Sequence, residues 1–198
     1  MASYRAVNGV LLSLEHFFKN RLPSELKNGP VNARIELLGS ADITTPLTGN
    51  VLGIYLHRVA IDPHGRSRFF PPQGANKNAA PVAELPVNLH ILLIASAVNA
   101  TIEANLIAWA MIAIANEAQF DVSHLSEFDE GWSERENISV TPEDLTSDEF
   151  FRLWGRFGMH FTNSVPYVAR TLRLRLNEPV SEGPAVISRV FPAGIAET

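Results

Sequence analysis

The stretch LHILLIASAVNATIEANLIAWAMIAIA, residues 89–115, carries one formal charge in 27 residues. Its need for burial constrains the fold more than any other part of the chain. A membrane-crossing helix needs about 20 successive apolar residues, and Ser96, Asn99, Thr101, Glu103 and Asn105 interrupt this run. It therefore reads as a buried strand over 87–97 and a buried helix running from Thr101, as N-cap, to about Glu117. Glu103 sits where the helix dipole favours an acid. Ile102, Leu106, Trp109, Ala110, Ala113 and Ile114 share one face, while Ile107, Ala108, Met111 and Ile112 make the other side apolar too. Such a helix wants cover on two sides, from its own strands or from a neighbouring subunit.

The rest of the chain has to supply that cover. With 198 residues, 46% hydrophobic and 19% charged, the expectation is one domain over 1–198 with a sizeable core. The formal net charge of −5 gives no general attraction to nucleic acid or anionic lipid. The absence of cysteine excludes disulfides, thiolate chemistry and Cys-based zinc sites. The N-terminal MASYRAVNGVLLSLEHFF lacks the pattern of a secretory signal, so the protein is expected to be cytoplasmic when made and not to insert into a membrane.

Val7, Val10, Leu11, Leu14 and Phe18 fall on one helical face, and this helix should pack on a sheet. Val31, Ala33, Ile35 and Leu37 alternate as in a half-buried strand, and VLGIYLHRVAI, 51–61, reads as a strand buried on both faces over most of its length. The proline- and glycine-rich segment 62–82 reads as a long loop of the kind that is functional or mobile. It mixes Arg66, Arg68, Phe69, Phe70 and Lys77, a composition suited to a partner surface. After an acidic stretch, a short extended ISV leads to Thr146 and Glu149, spaced as a capping box. The helix that follows carries Phe150, Leu153, Trp154 and Phe157 on one side, and Gly158 can end it. YVARTLRLRL, 167–176, alternates with Leu172, Leu174 and Leu176 inward and Thr171, Arg173 and Arg175 outward. A last strand is expected at 185–191, including Val186, Ile187 and Val190, where free backbone groups are available for strand addition. The fold class is α+β, a mixed β-sheet flanked by helices.

Signatures of catalysis are missing: there is no phosphate-binding glycine loop, nucleophile elbow, H-E-x-x-H pair or calcium loop. His16, His57, His64, His90, His124 and His160 are scattered without ligand spacing, so no metal and no cofactor are expected. Asp121, Glu127, Asp129, Glu130, Glu134 and Glu136 read as a solvated acidic face. A small α/β enzyme using His124 and Glu127 is the rival reading from another class, and the chain is expected not to be an enzyme.

In order and spacing, IYLHRV with Tyr55 and Arg58, the strand LPVNLHILLIASA, the segment ISVTPEDLTSDEFFRLWGRF around Trp154, and NSVPYVARTLRLR with Ser164, Tyr167 and Arg170 resemble one known family. It is the N-terminal domain of the cap, or tube-terminator, protein of extracellular contractile injection systems, the antifeeding-prophage-like, phage-tail-like particles. The resemblance spans nearly the whole chain, and it departs from the family pattern at His90 and in the alanine-rich helix after it. It implies a phage-tail-terminator-like fold and a structural role: a homo-hexameric ring that ends the inner tube and anchors the distal sheath, with tube and sheath proteins as partners. A myophage tail terminator or completion protein solves the same geometric problem. A closed ring needs two different surfaces of one subunit to meet. The residues expected at subunit, tube or sheath contacts are Arg66, Arg68, Phe69, Phe70, Trp109, Phe150, Trp154, Arg173, Arg175, Val186, Ile187 and Val190, with Trp109 to Ile114 or the helix of Phe150 to Trp154 near the subunit interface, although ordinary core burial suits both stretches better.

Overall fold

The computed structural model describes residues 3–62, 84–125, 132, 137–158 and 160–175. In chain order they form α1 (Ala6–Arg21), α2 (Ser24–Lys27), β1 (Arg34–Leu38), a 3-10 turn (Asp42–Thr44), β2 (Val51–Ile61), β3 (Glu84–Ser96), α3 (Ala100–Asn116), β4 (Gln119–Asp121), α4 (Val122–Leu125), β5 (Asn137–Pro142), α5 (Ser147–Trp154) and β6 (Ser164–Arg175). The expected loop over 62–82 and last strand over 185–191 lie outside the described residues, save Asp62.

The six strands make one mixed sheet in the order β1-β2-β3-β6-β5-β4. Only β1 and β2 run parallel; every other pair is antiparallel. The charge-poor strand β3 lies inside the sheet with β2 and β6 on either side, which is why both of its faces are apolar. Leu89, Ile91 and Leu93 face the larger core, built with Val10, Leu14, Phe17 and Phe18 of α1 and Leu106, Ala110 and Ile114 of α3. Leu92 and Ile94 face a smaller core with Leu38, Ile43 and Trp154. Thus α1 and α3 cover one side of the sheet, and α5 with the β1–β2 connection covers the other.

Burial differs from the sequence reading at several points. β2 is buried only over Val51–Ile54, and Arg58, Val59 and Ile61 are exposed; Val59 and Ile61, paired with Leu89 and Val87, lie on the α1/α3 side of the sheet. The N-cap of α3 is Asn99, whose Oδ1 accepts the Ile102 N–H at 2.9 Å, two residues before the expected Thr101. α5 ends at Trp154 with Gly155 as its C-cap, not at Gly158. β6 begins at Ser164, ahead of the expected Tyr167. Irregular registers at Leu56/Arg58 and Val87/Leu89 break strict alternation, so Ala169 and Leu172 both reach the larger core. Leu172 is buried, Thr171 and Leu174 are half-buried and Arg173 is exposed.

Candidate functional site

The α5 face of the sheet collects aromatic rings. The capping box at Thr146 and Glu149 starts α5. Its inner side seats Trp154 beneath Phe157 at 5.1 Å between centroids, with Tyr55 of β2 meeting Phe157 at 5.5 Å. Trp154 Nε1–H donates to Ser164 Oγ at 3.0 Å, which satisfies its one polar atom. Phe161 lies over Trp154, Phe150 and Phe151. Phe151 and Phe161 are 62% and 57% exposed, so this aromatic cluster continues onto the surface.

Beside it, the sheet holds a polar cluster that spacing along the sequence does not reveal. Glu143, after β5, places Oε1 2.6 Å from His90 Nδ1 on β3. Arg58 of β2 brings Nη2 to 3.1 Å from His90 Nε2 and 3.4 Å from Glu143 Oε1. These contacts fit the tautomer in which His90 Nδ1–H donates to Glu143 and Nε2 accepts from Arg58. Burial holds the His57 imidazole below its ordinary value; Glu143 works against this, while His90 and Arg58 add to it. Arg58 sits on both His90 and Glu143, so the cluster is already charge-compensated and offers no seat for a cation. Among the described residues no group of three or more potential ligands could hold a metal ion.

Ser123, His124 and Asp121 look at first like nucleophile, base and orienting acid. The geometry denies that chemistry. His124 Nε2 is 2.9 Å from Glu117 Oε1 and Nδ1 is 3.0 Å from Asp121 Oδ1, so both ring nitrogens face carboxylates. Ser123 Oγ donates to Asp121; this bond first, then that of His124, holds the Asp121 carboxyl down at about 2. Glu117 also pairs with Arg21 at the end of α1. The group therefore fastens α4 and the end of α3 to α1. Glu127 and the rest of the expected acidic face lie outside the described residues.

Two further surfaces are open. At the sheet edge, β1 has a strand on one side only among the described residues, and a groove of about 960 Å³ runs along it between Glu15 and Lys19 of α1 and the segment 45–48. On α3, Leu106, Ala110, Ala113 and Ile114 point into the core, whereas Met111 and Ile112 face solvent, Ile112 60% exposed. The second cover expected for this helix is not supplied by its own sheet.

The expected contact residues do not gather in one place. Trp109 packs partly buried against Phe18 at 5.6 Å on the α1 side of the sheet, and Phe150 and Trp154 lie on the opposite side. Arg173 is exposed on β6 opposite Pro86, and Arg175 ends the strand opposite Glu84. Arg66, Arg68, Phe69, Phe70, Val186, Ile187 and Val190 lie outside the described residues. Met111, Ile112 and Phe151 fall within the two helical stretches expected near an interface, whereas Phe161, between α5 and β6, was missed because it lies in no periodic segment.

Comparison with known proteins gives a consistent likeness. The family model described as the Pvc16 N-terminal domain matches residues 9–188. No curated protein matches the chain. Among solved structures, the sheath/tube terminator of the PVC extracellular contractile injection system, in its extended state, is similar over 97% of this chain at 14% identity, with a TM-score of 0.55. The tube-terminating cap of the anti-feeding prophage is similar over 73% of this chain at 12% identity, with a TM-score of 0.42. The chain spans 65% of the first of these and 50% of the second.

Proposed function

We propose, from the premise that the chain belongs to the Pvc16 N-terminal domain family, that it is a cap subunit ending the inner tube of a contractile injection system. The family match across residues 9–188 carries this reading, and the shared fold of the PVC terminator supports it. In the finer version, six copies close into a ring, and the ring ties the last sheath layer to the tube. The role is structural and not enzymatic, in keeping with a His124 whose ring nitrogens are both engaged by carboxylates.

A ring joins two different surfaces of each subunit. The exposed side of α3 around Met111 and Ile112 and the aromatic surface of α5 lie on opposite faces of the sheet, two different surfaces of the kind a head-to-tail contact joins. Arg66, Arg68, Phe69 and Phe70, together with Arg173, Arg175 and the segment holding Val186, Ile187 and Val190, are assigned to tube and sheath. In this setting the protein is made in the cytoplasm and becomes part of a particle.

The test is to tag the protein in its native cell, purify it gently and image the same fraction by electron microscopy. Tube and sheath subunits in the fraction, with ring density at one particle end, are the expected result. A lone monomer from cells that contain assembled particles overturns the reading.

A further inference from the structure

Among the described residues the sheet ends in β4 on one side and β1 on the other. The β4 edge has three residues, whereas β1 offers five, Arg34–Leu38. Arg34 N–H donates to the Asn50 carbonyl at 2.9 Å. Backbone groups alternate along a strand, so Arg34, Glu36 and Leu38 bond towards β2, and Ile35 and Leu37 turn their N–H and C=O groups outward. The Ala33 N–H, first in the outward set, donates to the Leu26 carbonyl at 2.8 Å; among the described residues no turn or loop bond takes the outward groups of Ile35 and Leu37. Beside them lies the groove of about 960 Å³, with an apolar lining at Leu22, Ile35, Leu37 and Leu47 and the carboxylates of Glu15 and Glu36 along it. The five residues of β1 run about 17 Å, the length of one short strand.

The chain itself holds a segment of matching chemistry. AVISRVF, residues 185–191, lies outside the described residues; its valines, isoleucine and phenylalanine favour a strand, and it has no proline and one charge, Arg189. Its apolar side chains suit the lining of the groove, and Glu15 and Glu36 offer Arg189 a carboxylate. Reach decides which copy supplies it. β6 ends at Arg175 opposite Glu84, past the pair of Ile61 and Val87, whereas β1 lies opposite Val51–Tyr55 at the other end of the sheet. From Arg175 to Leu38 is nine residues lengthwise, about 30 Å, and the outer side of β1 is four strand spacings away, about 19 Å. The straight line between them is about 35 Å. The ten residues from Arg175 to Ala185 span at most about 36 Å, and Pro179, Gly183 and Pro184 among them favour turns over a taut path. Without slack, and with a folded sheet in the way, the segment does not lie along its own β1.

We infer that residues 185–191 of one copy add as a strand to β1 of the next, completing its sheet edge. The inference rests on the ring proposed above and names a joint between its subunits. Donor segment and acceptor edge are two different surfaces, so each copy gives a strand to one neighbour and takes one from the other, as a closed ring requires. Main-chain bonds to Ile35 and Leu37 supply affinity, and alternate side chains of the donated strand supply the fit. The donated strand becomes the new edge of the sheet. Its outer side stays open for the tube and sheath contact assigned to this segment.

The test uses the whole chain in its native cell. The chain has no cysteine, so engineered pairs report without background. Glu36→Cys on β1 is combined in turn with Val186→Cys, Ile187→Cys, Ser188→Cys, Arg189→Cys and Val190→Cys, which covers both faces and the possible registers. Particles are purified, oxidised and run on a non-reducing gel, and the same particles are imaged by electron microscopy. A disulfide forms only where two Cα atoms come within about 7 Å. The expected result is that at least one pair yields covalent dimers and higher species of the cap chain, while Glu36→Cys alone yields none. A ring at the tube end with no such species from any pair, or with links confined within one chain, overturns the strand exchange and leaves the cap reading standing. Particles that assemble without the wild-type chain overturn the cap reading and the exchange with it. Should Glu36→Cys fail to fold, Thr48→Cys, on the exposed wall of the groove, takes its place in the same five pairs.

Discussion

A Cβ at Gly158 would sit 2.6 Å from the Thr44 carbonyl oxygen and 3.0 Å from its Cα. Both are backbone atoms of the β1–β2 connection and cannot swing aside as a side chain can. Gly158→Ala is therefore expected to cost about 1–3 kcal/mol, the usual range for forcing extra volume into a packed site. Gly155 is the contrast: its φ of −63° is helical, and Gly155→Ala should change stability by no more than about 0.5 kcal/mol. Urea unfolding of both variants checks the pair, and equal stabilities would remove the close-approach explanation. Asn50 makes a similar demand through hydrogen bonds. Buried to 7% exposure, it donates from Nδ2 to the Val31 carbonyl and accepts the Val98 N–H at 2.9 Å. Asn50→Ala leaves both backbone groups without this partner and should cost about 1–3 kcal/mol, again by urea unfolding. Neither role is legible in sequence, because the partners lie 19 and 48 residues from Asn50 and 114 from Gly158.

Helix α5 was legible because its information is local. Thr146 and Glu149 stand three residues apart, and the structure makes both bonds of the box, Thr146 N–H to Glu149 Oε2 at 3.0 Å and Glu149 N–H to Thr146 Oγ1 at 3.3 Å. The side-chain bond from Thr146, then its backbone bond, holds the Glu149 carboxyl below its ordinary 4.5. A depressed acid stabilises the fold above its ordinary value and loses that contribution as the pH falls through the folded one. Thr146→Ala removes the hydroxyl bond and keeps the backbone one, so it should raise the Glu149 titration part of the way towards its ordinary value by NMR and lower stability by about 1 kcal/mol at neutral pH; an unmoved titration would mean that the Thr146 hydroxyl is not what holds the carboxyl. The start of α3 was read two residues late for an equally physical reason. Asn99 and Thr101 are both good caps, and in the folded chain it is Asn99 that makes the bond. β4 has three residues, too few for alternation to register, and it is set by pairing with β5. The polar cluster escaped because His57, His90 and Glu143 come from three elements, joined by pairing of β2 with β3 and by the path of the chain after β5.

For the molecule as a whole, the sequence reads as needing cover for α3 on two sides, and the described residues supply one. Leu106 on its inner side is fully buried in the larger core, while Ile112 on its outer side is 60% exposed. An aspartate at each position asks different questions of the same helix. Leu106→Asp puts an unpaired carboxylate in the core and should prevent stable folding, because charge burial without a partner is among the costliest changes a core can suffer. Ile112→Asp lies in water in the isolated subunit and should alter its stability by no more than about 0.5 kcal/mol. If the outer side of α3 meets the next subunit of a ring, that same carboxylate becomes buried and unpaired in each of its repeated contacts. A single substitution is then multiplied by symmetry. Ile112→Asp should therefore melt like the wild type and yet be absent from purified particles, as judged by thermal unfolding of the subunit and by the ratio of cap to tube protein in the particle fraction. Incorporation at the wild-type ratio would leave α3 out of the interface and move the subunit contact to the aromatic surface at Phe151 and Phe161 or to the edge of β1 that carries no strand among the described residues.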